Sequence, residues 1–435
     1  MGGRGRMGKT LVTLALFSLP ALPALPALRA QIPFEQATRD LISGDPGVRL
    51  RAVQLLKDAA YPESAVPLAR LVGDPQDAVQ LEAIAAELNI FLAERVVTKK
   101  RVGLVVERRS AIAAEAAFST GPSALGPLPV PLEVLTALRA AARDDNPRVA
   151  LEAIYAFGVL AVEPSGASRR ELLSVSGPEI AALTGASDPA IRYAAVRVMG
   201  RLFTRRAQDE AIESTVGDAV ITALNDNDRA VKAAAMQALG TMRYDRAVQA
   251  LTDLFQYYGK GESAEAALDA LAHIANPASV PLFTAQAASR SSSLRGIAIE
   301  GLARSGDATK LADVQTAVGG DRSDGVALAG IFATALLGNG SLDRIVEAAT
   351  KSKLRDQARQ YLVELAPGRS EMLRRHLQDP DARVRLDVVE VLGLGGDPAA
   401  LPIVEALTKD KDPLVARAAD RAVSRLRAAT RKPAS

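Results

Sequence analysis

Residues 379–426 read DPDARVRLDVVEVLGLGGDPAALPIVEALTKDKDPLVARAADRAVSRL, one structural unit and the start of the next. A turn of Asp and Pro opens an apolar-periodic helix, a glycine-rich turn follows, and a second helix leads into another Asp/Pro turn. Asp379 or Asp381 can accept a hydrogen bond from the free amides of the first helical turn. Pro380, like Pro46, Pro75, Pro189 and Pro413, suits a position with no donor to lose. Val384, Val388, Val391 and Leu392 recur at three- and four-residue spacing and form one apolar stripe, with Arg385 and Glu390 off it. Gly393, Gly395 and Gly396 permit the left-handed conformation that ends a helix, and Asp397 with Pro398 starts the next one. One helix pair cannot bury its stripe alone. Stacked neighbours can, so a chain built of such units is expected to be a solenoid.

The unit recurs outward from this stretch. An apolar residue at a helix start is followed eight positions later by another in Val48 and Leu56, Val149 and Phe157, Ile191 and Met199, and Val231 and Leu239. The same holds for Leu294 and Leu302, Leu354 and Leu362, Val384 and Leu392, and Val415 and Val423. The period is about thirty residues, which suits two short helices per repeat.

These residues give the chain a resemblance to the HEAT-repeat family, in particular to its short bacterial form named after phycobilisome lyases. The similarity is carried by the Asp/Pro turns, by Val48-Arg49, Ile191-Arg192, Val231-Lys232, Leu294-Arg295, Leu354-Arg355 and Val384-Arg385, and by Gly200, Gly240 and Gly393 after them. It covers about residues 35–428. The resemblance implies an all-α fold, a right-handed α-solenoid of about ten to twelve antiparallel helix pairs. It implies that second helices line the concave face. It also implies a hydrogen-bonded ladder between repeats through Arg49, Arg192, Lys232, Arg295 and Arg385, with Ala150, Ala329 and Ala416 as departures.

Residues 1–30 read as a signal peptide. Arg4, Arg6 and Lys9 form a basic start, Leu11–Leu19 an apolar run, and LPALPALRA leads to cleavage after Ala30. The wider apolar stretch Leu11–Leu28 is short for a membrane span, and Pro20, Pro23 and Pro26 interrupt it. The expected location is the periplasm or outside the cell, with no stable membrane insertion after signal removal. Residues 31–430 then form the solenoid and 431–435 a tail.

The whole chain has 53 Lys and Arg against 50 Asp and Glu; removing Arg4, Arg6, Lys9 and Arg29 leaves 49 against 50. That balance gives no reason to expect nucleic acid or an anionic membrane as partner. Gly3–Thr10, GRGRMGKT, matches the phosphate-loop pattern by letter, but no strand precedes it and a proline-broken run follows, so the reading is a signal start.

Residues 89–133 break the period as an irregular insertion. They hold a β-branched run, the basic cluster Lys99, Lys100, Arg101, Arg108 and Arg109, and a loop over Ser119–Pro131. The chain has no Cys, which excludes disulfides, thiolate zinc sites and cysteine nucleophiles. Its two histidines, His273 at a helix end and His376 on the surface, are about three repeats apart and predict no metal site. Asp226, Asn227 and Asp228, and Asp321, Asp324 and Gly325, lack the full ligand series of a calcium loop and read as turn and cap chemistry. No cofactor, metal or catalytic constellation is expected.

Six positions after the helix-start column stand Tyr155, Arg197, Gln237, Asp269, Glu300, Thr334, Gln360, Glu390 and Arg421. In a solenoid they form a row along one face, spaced by about 10 Å. Mixed chemistry in a row suits an extended protein or peptide partner. The expected function is an exported, non-catalytic scaffold. The alternatives are an enzyme or small-ligand carrier resembling the bilin lyases of the same repeat family, and a structural envelope element.

Overall fold

A computed structural model describes residues 34–92, 113–120, 125–126, 128–161, 167–204, 211–338 and 340–430. The signal segment 1–30, the Gly3–Thr10 match, the cluster Lys99, Lys100, Arg101, Arg108 and Arg109, and the tail 431–435 lie outside the described residues.

The described residues form eleven helix pairs and one extra helix. Helices α1 (Phe34–Asp40) and α2 (Pro46–Ala59) are followed by α3 (Ala65–Ala69) and α4 (Asp77–Phe91). The extra helix is α5 (Ala113–Thr120). Then come α6 (Leu132–Ala141) and α7 (Pro147–Leu160), α8 (Ala167–Ala182) and α9 (Pro189–Leu202), and α10 (Ser214–Ala223) and α11 (Arg229–Met242). They continue with α12 (Val248–Tyr258) and α13 (Glu262–Ile274), α14 (Val280–Gln286) and α15 (Ser292–Arg304), and α16 (Leu311–Val318) and α17 (Asp324–Leu337). The last pairs are α18 (Asp343–Ala349) and α19 (Arg355–Leu365), α20 (Ser370–Leu373) and α21 (Ala382–Gly395), and α22 (Leu401–Glu405) and α23 (Pro413–Thr430). The helices of each pair pack together, α20 doing so through its 3-10 extension Arg374–Gln378, and the second helices pack in succession from α2 to α23. This is an all-α solenoid. Among the described residues there is no strand, only a single bridge between Leu92 and Leu125.

The helix starts follow from the turns. Asp45, Asn146 and Asp188 accept from the amides of Gly47, Arg148 and Ala190 at 2.7, 2.9 and 2.8 Å, with Pro46, Pro147 and Pro189 in the first turn where no donor is needed. Pro380 is different. The cap of α21 is Asp381, which accepts from Arg383 at 2.8 Å, so Pro380 precedes the cap and the helix begins at Ala382.

The glycines expected to end helices divide into two kinds. Gly396 has φ +69° and terminates α21. Gly393 lies inside α21, where a Cβ would stand 2.6 Å from Ala422 Cβ and 3.0 Å from its Cα on α23. Gly200 meets Ala238, and Gly240 meets Ala270, in the same way. These glycines let successive second helices come into backbone contact.

Between repeats the arginine at the helix start reaches the first Asp of the next turn. Arg49 donates to Asp74 at 2.6 and 2.9 Å, Arg192 to Asp226 at 2.6 and 2.9 Å, Arg295 to Asp321 at 2.6 and 3.0 Å, and Arg385 to Asp410 at 2.9 and 2.8 Å. Each arginine also donates to carbonyls of its own preceding turn, as Arg385 does to Asp379 at 2.8 Å. Each aspartate accepts from an amide two residues on. Lys232 stands in this column, but the turn after its repeat is Gly259-Lys260-Gly261 and offers no carboxylate, so no rung forms there. Arg355 reaches Asp387 inside α21 instead, at 2.7 Å. Hydrogen bonds from the arginines hold the Asp226, Asp321 and Asp410 carboxyls below their usual range.

A carboxylate whose folded pKa is depressed contributes stability above its unfolded pKa of about 4, and that contribution is lost as pH falls through the folded value. The solenoid is therefore expected to lose stability on acidification below about pH 4. Asp410→Ala, which leaves the buried Arg385 with only its carbonyl bonds, is expected to lower the unfolding free energy by about 2 kcal/mol at neutral pH. Urea titration of parent and variant measures it; the difference should shrink as pH approaches 3.

Glu87 on α4 is the reverse case. It is fully buried, and neither side-chain oxygen has a hydrogen-bond partner. Burial pushes its carboxyl well above the usual range. The folded state therefore binds a proton that the unfolded state releases, and stability falls as pH rises above about 4.5. Glu87→Gln is expected to be neutral near pH 4 and stabilising by about 1–3 kcal/mol at pH 7. Paired melts at the two pH values check the sign.

Candidate functional site

The nine row residues all lie on second helices, and contacts across repeats show which way that face bends. Gln360 Nε2 of α19 is 3.2 Å from His273 Nε2 of α13, 87 residues away and past two intervening second helices. Side chains so far apart in the stack meet only on the inside of a bend. The second helices thus form the inner face, at least from α13 to α19.

The row is not uniformly open. Gln237 and Gln360 are exposed, Asp269, Glu390 and Arg421 are partly exposed, and Tyr155 and Glu300 are buried. Tyr155 and Glu300 are therefore corrections to a row of solvent-facing side chains. Each is covered by a neighbouring helix that the repeat period does not reveal.

At α7 and α9 the cover is α5. Its Glu115 carboxylate pairs with Arg197 at 3.0 Å and accepts from the Tyr155 hydroxyl at 3.4 Å. Phe118 lies 5.4 Å from the Tyr155 ring, 5.1 Å from the Arg197 guanidinium and 3.4 Å from that of Arg201. Arg201 also donates to the Phe118 carbonyl. Burial and the neighbouring Arg197 charge bring the Arg201 guanidinium down to about 10. Tyr193 places its ring 5.2 Å from Arg197 on another side. Glu152 of α7 accepts from the first two amides of α5, Ala113 and Ala114, at 3.0 and 2.8 Å. Gly158 makes room, since a Cβ there would sit 2.9 Å from Phe118.

At α15 to α19 the cover is α19. Arg304, 3 % exposed, donates to Glu300 at 2.9 Å and to both oxygens of Glu364 at 3.0–3.1 Å. The Tyr361 hydroxyl donates to Glu300 and accepts from Gln357 at 2.7 Å. The Tyr361 ring stacks on Phe332 at 4.2 Å, and Arg304 lies 5.1 Å from the Phe332 centroid. Burial and the Glu300 charge raise the Tyr361 hydroxyl far above its ordinary value, so it remains a donor. Beside this cluster His273 faces Asp269 at 3.4 Å. Burial works to lower the imidazole, but the Asp269 hydrogen bond holds it above its usual value.

Farther along, Arg359 pairs with Glu390 and, at 3.2 Å, with Asp387. His376 is half-buried rather than on the surface, bonded to Asp343 at 2.8 Å on the other side of the stack. Two depressions of about 600 and 520 Å³ occur, one at the Arg295–Asp321 rung and the other between α18 and α20. Among the described residues no group of three or more His, Asp or Glu is placed to hold a metal ion, and no helix is long and apolar enough to cross a membrane.

Sequence reading did not find Glu115, Phe118, Glu152, Arg201, Arg304, Tyr361 or Glu364. The stretch AAEAAFST within 113–120 had the composition of a helix, and it was masked by the broken period around it. Between the two covered clusters, the second-helix face is open at α11, where Ala233 and Gln237 are exposed.

Paired helices stacked through a continuous second-helix layer, with a second-helix face that seats a helix of the same chain, define an α-solenoid repeat protein. Its repeats at residues 178–257 and 370–434 match the family model of HEAT repeats. Among solved structures, an engineered protein aligns over 91 % of this chain and 98 % of its own, at 19 % identity and a TM-score of 0.43. A structure from work on a phosphorylation switch controlling the interaction between cadherin and beta-catenin aligns over 91 % and 94 %, at 14 % identity and 0.41. A designed armadillo repeat protein in complex with the peptide (KR)4 aligns over 63 % and 99 %, at 15 % identity and 0.36. No curated protein matches.

Proposed function

We propose that this chain is an exported scaffold that binds a protein partner along the inner face of its second helices. The observation that carries the reading is α5: this face holds a short helix through an ion pair, an aromatic–guanidinium stack and a carboxylate cap. Surfaces that recognise a helix use anchors of this kind. The open stretch at α11, with exposed Ala233 and Gln237, is where a partner would enter. Export is supported by the basic start and apolar run of residues 1–30.

The test uses the chain immobilised against envelope and secreted extracts, beside a variant carrying Ala233→Arg and Gln237→Arg. Both positions are exposed on a helix and tolerate arginine, so stability should change by less than about 0.5 kcal/mol. Gln256→Arg on α12 is the control on the first-helix side. A protein retained by the parent and by the control, and lost with the α11 pair, is the expected result. Retention unaffected by the α11 pair would overturn the assignment of the face.

A further inference from the structure

The docking of α5 has the character of a bound peptide. Its first two amides, those of Ala113 and Ala114, donate to the Glu152 carboxylate, 39 and 38 residues later on the face beneath. Its one acidic side chain, Glu115, and its one aromatic, Phe118, both point at that face. Three residues apart, they lie on the same side of a helix. The receiving groups come from two successive repeats: Glu152, Tyr155 and Gly158 on α7, and Tyr193, Arg197 and Arg201 on α9. Two guanidinium groups sit against one ring, and at least one of them, Arg201, is buried enough to be held down. Without α5 these cations and rings would form a basic, aromatic-lined groove continuous with the open part of the inner face at α11.

We infer that α5 occupies a peptide-binding groove of its own chain, and that the partner presents a short helix with a carboxylate and, three residues on, a phenylalanine, which displaces α5. The inference rests on the inner face being a protein-binding surface and names the chemistry recognised there. Binding would be weakened by the occupancy of α5, because the competent, α5-free state is a fraction of the population. Partner binding and release of α5 are then one equilibrium, and residues 113–120 act as an internal competitor.

The probe is a fluorescein-labelled peptide with the sequence of residues 111–122, AIAAEAAFSTGP. Anisotropy titrations compare the parent chain with one carrying Glu115→Ala and Phe118→Ala, substitutions confined to α5. The variant is expected to bind the peptide at least tenfold more tightly than the parent. Adding Arg197→Ala to the variant, or replacing the Glu and Phe of the peptide with Ala, should abolish that gain.

A second measurement keeps the question decidable if the variant fails to fold. Excess peptide should accelerate amide hydrogen exchange of residues 114–119 in the unmodified chain at least tenfold while leaving α11 unchanged. Equal peptide affinity for parent and folded variant, or α5 exchange unmoved by millimolar peptide, would overturn the inference. If the α11 arginines block a protein partner yet the peptide never displaces α5, this inference falls and the binding-face reading stands.

Discussion

Arg304→Ala is expected to lower the unfolding free energy by about 3–5 kcal/mol. The Arg304 side chain is 3 % exposed and is shared by Glu300 and Glu364. Removing it leaves two carboxylates facing each other over Phe332, one of them 9 % exposed, with only Tyr361 and Gln357 as donors to Glu300. Glu300 is nearly closed off from water by α19, whereas Glu364 keeps 22 % of its side chain exposed, so the cost falls mainly on Glu300. Urea denaturation followed by circular dichroism gives the value. Arg229→Ala, which breaks the Arg229–Glu262 pair exposed at 80 % and 87 %, should change stability by less than about 0.5 kcal/mol. Equal effects from the two would contradict the role given to burial.

The second large effect comes from the glycine contacts. Gly393→Val is expected to destabilise by about 2–3 kcal/mol, because its side chain would have to displace the Ala422 backbone 3.0 Å from its own Cβ. Helix α23 would be pushed off α21 at the point where the last two repeats meet. Gly296→Ala supplies the opposite sign. No atom lies within 4 Å of a Cβ built there, and the position is inside α15, so the better helix former should stabilise by about 0.5–1 kcal/mol. The pair separates the conformational property of glycine from its size. If both substitutions stabilise, the close approach is not what fixes glycine at 393.

How much of this was legible in sequence depends on range. The Asp45, Asp188 and Asp381 caps and the apolar stripe of α21 are local, set by residues within one helical turn or two, and they could be read directly. The Arg385–Asp410 rung spans one repeat, and its two ends recur with the period. Lys232 shows the limit of that logic: the column was right, but a rung needs a carboxylate in the following turn, and Gly259-Lys260-Gly261 has none.

The inner face was legible as a row of positions and not as a surface. What covers Tyr155 is a helix 40 residues upstream, and what covers Glu300 is a helix 61 residues downstream. Neither separation is the period of the repeat to its neighbour. Position counting places side chains on a face, but only the packing of α5 and α19 decides which of them meet solvent. Gln237 met both conditions and Glu300 only the first. A substitution at Glu300 would therefore test the fold rather than the binding.

The most direct measurement of the central claim replaces Gln237 with a photo-crosslinking amino acid, and Gln256 on α12 likewise in a second chain. Both are irradiated in the native extract, and the adducts are identified by mass spectrometry. The account predicts one protein adduct from position 237 that is absent from position 256. An adduct formed at 256 and not at 237 would place the partner on the first-helix side and contradict it.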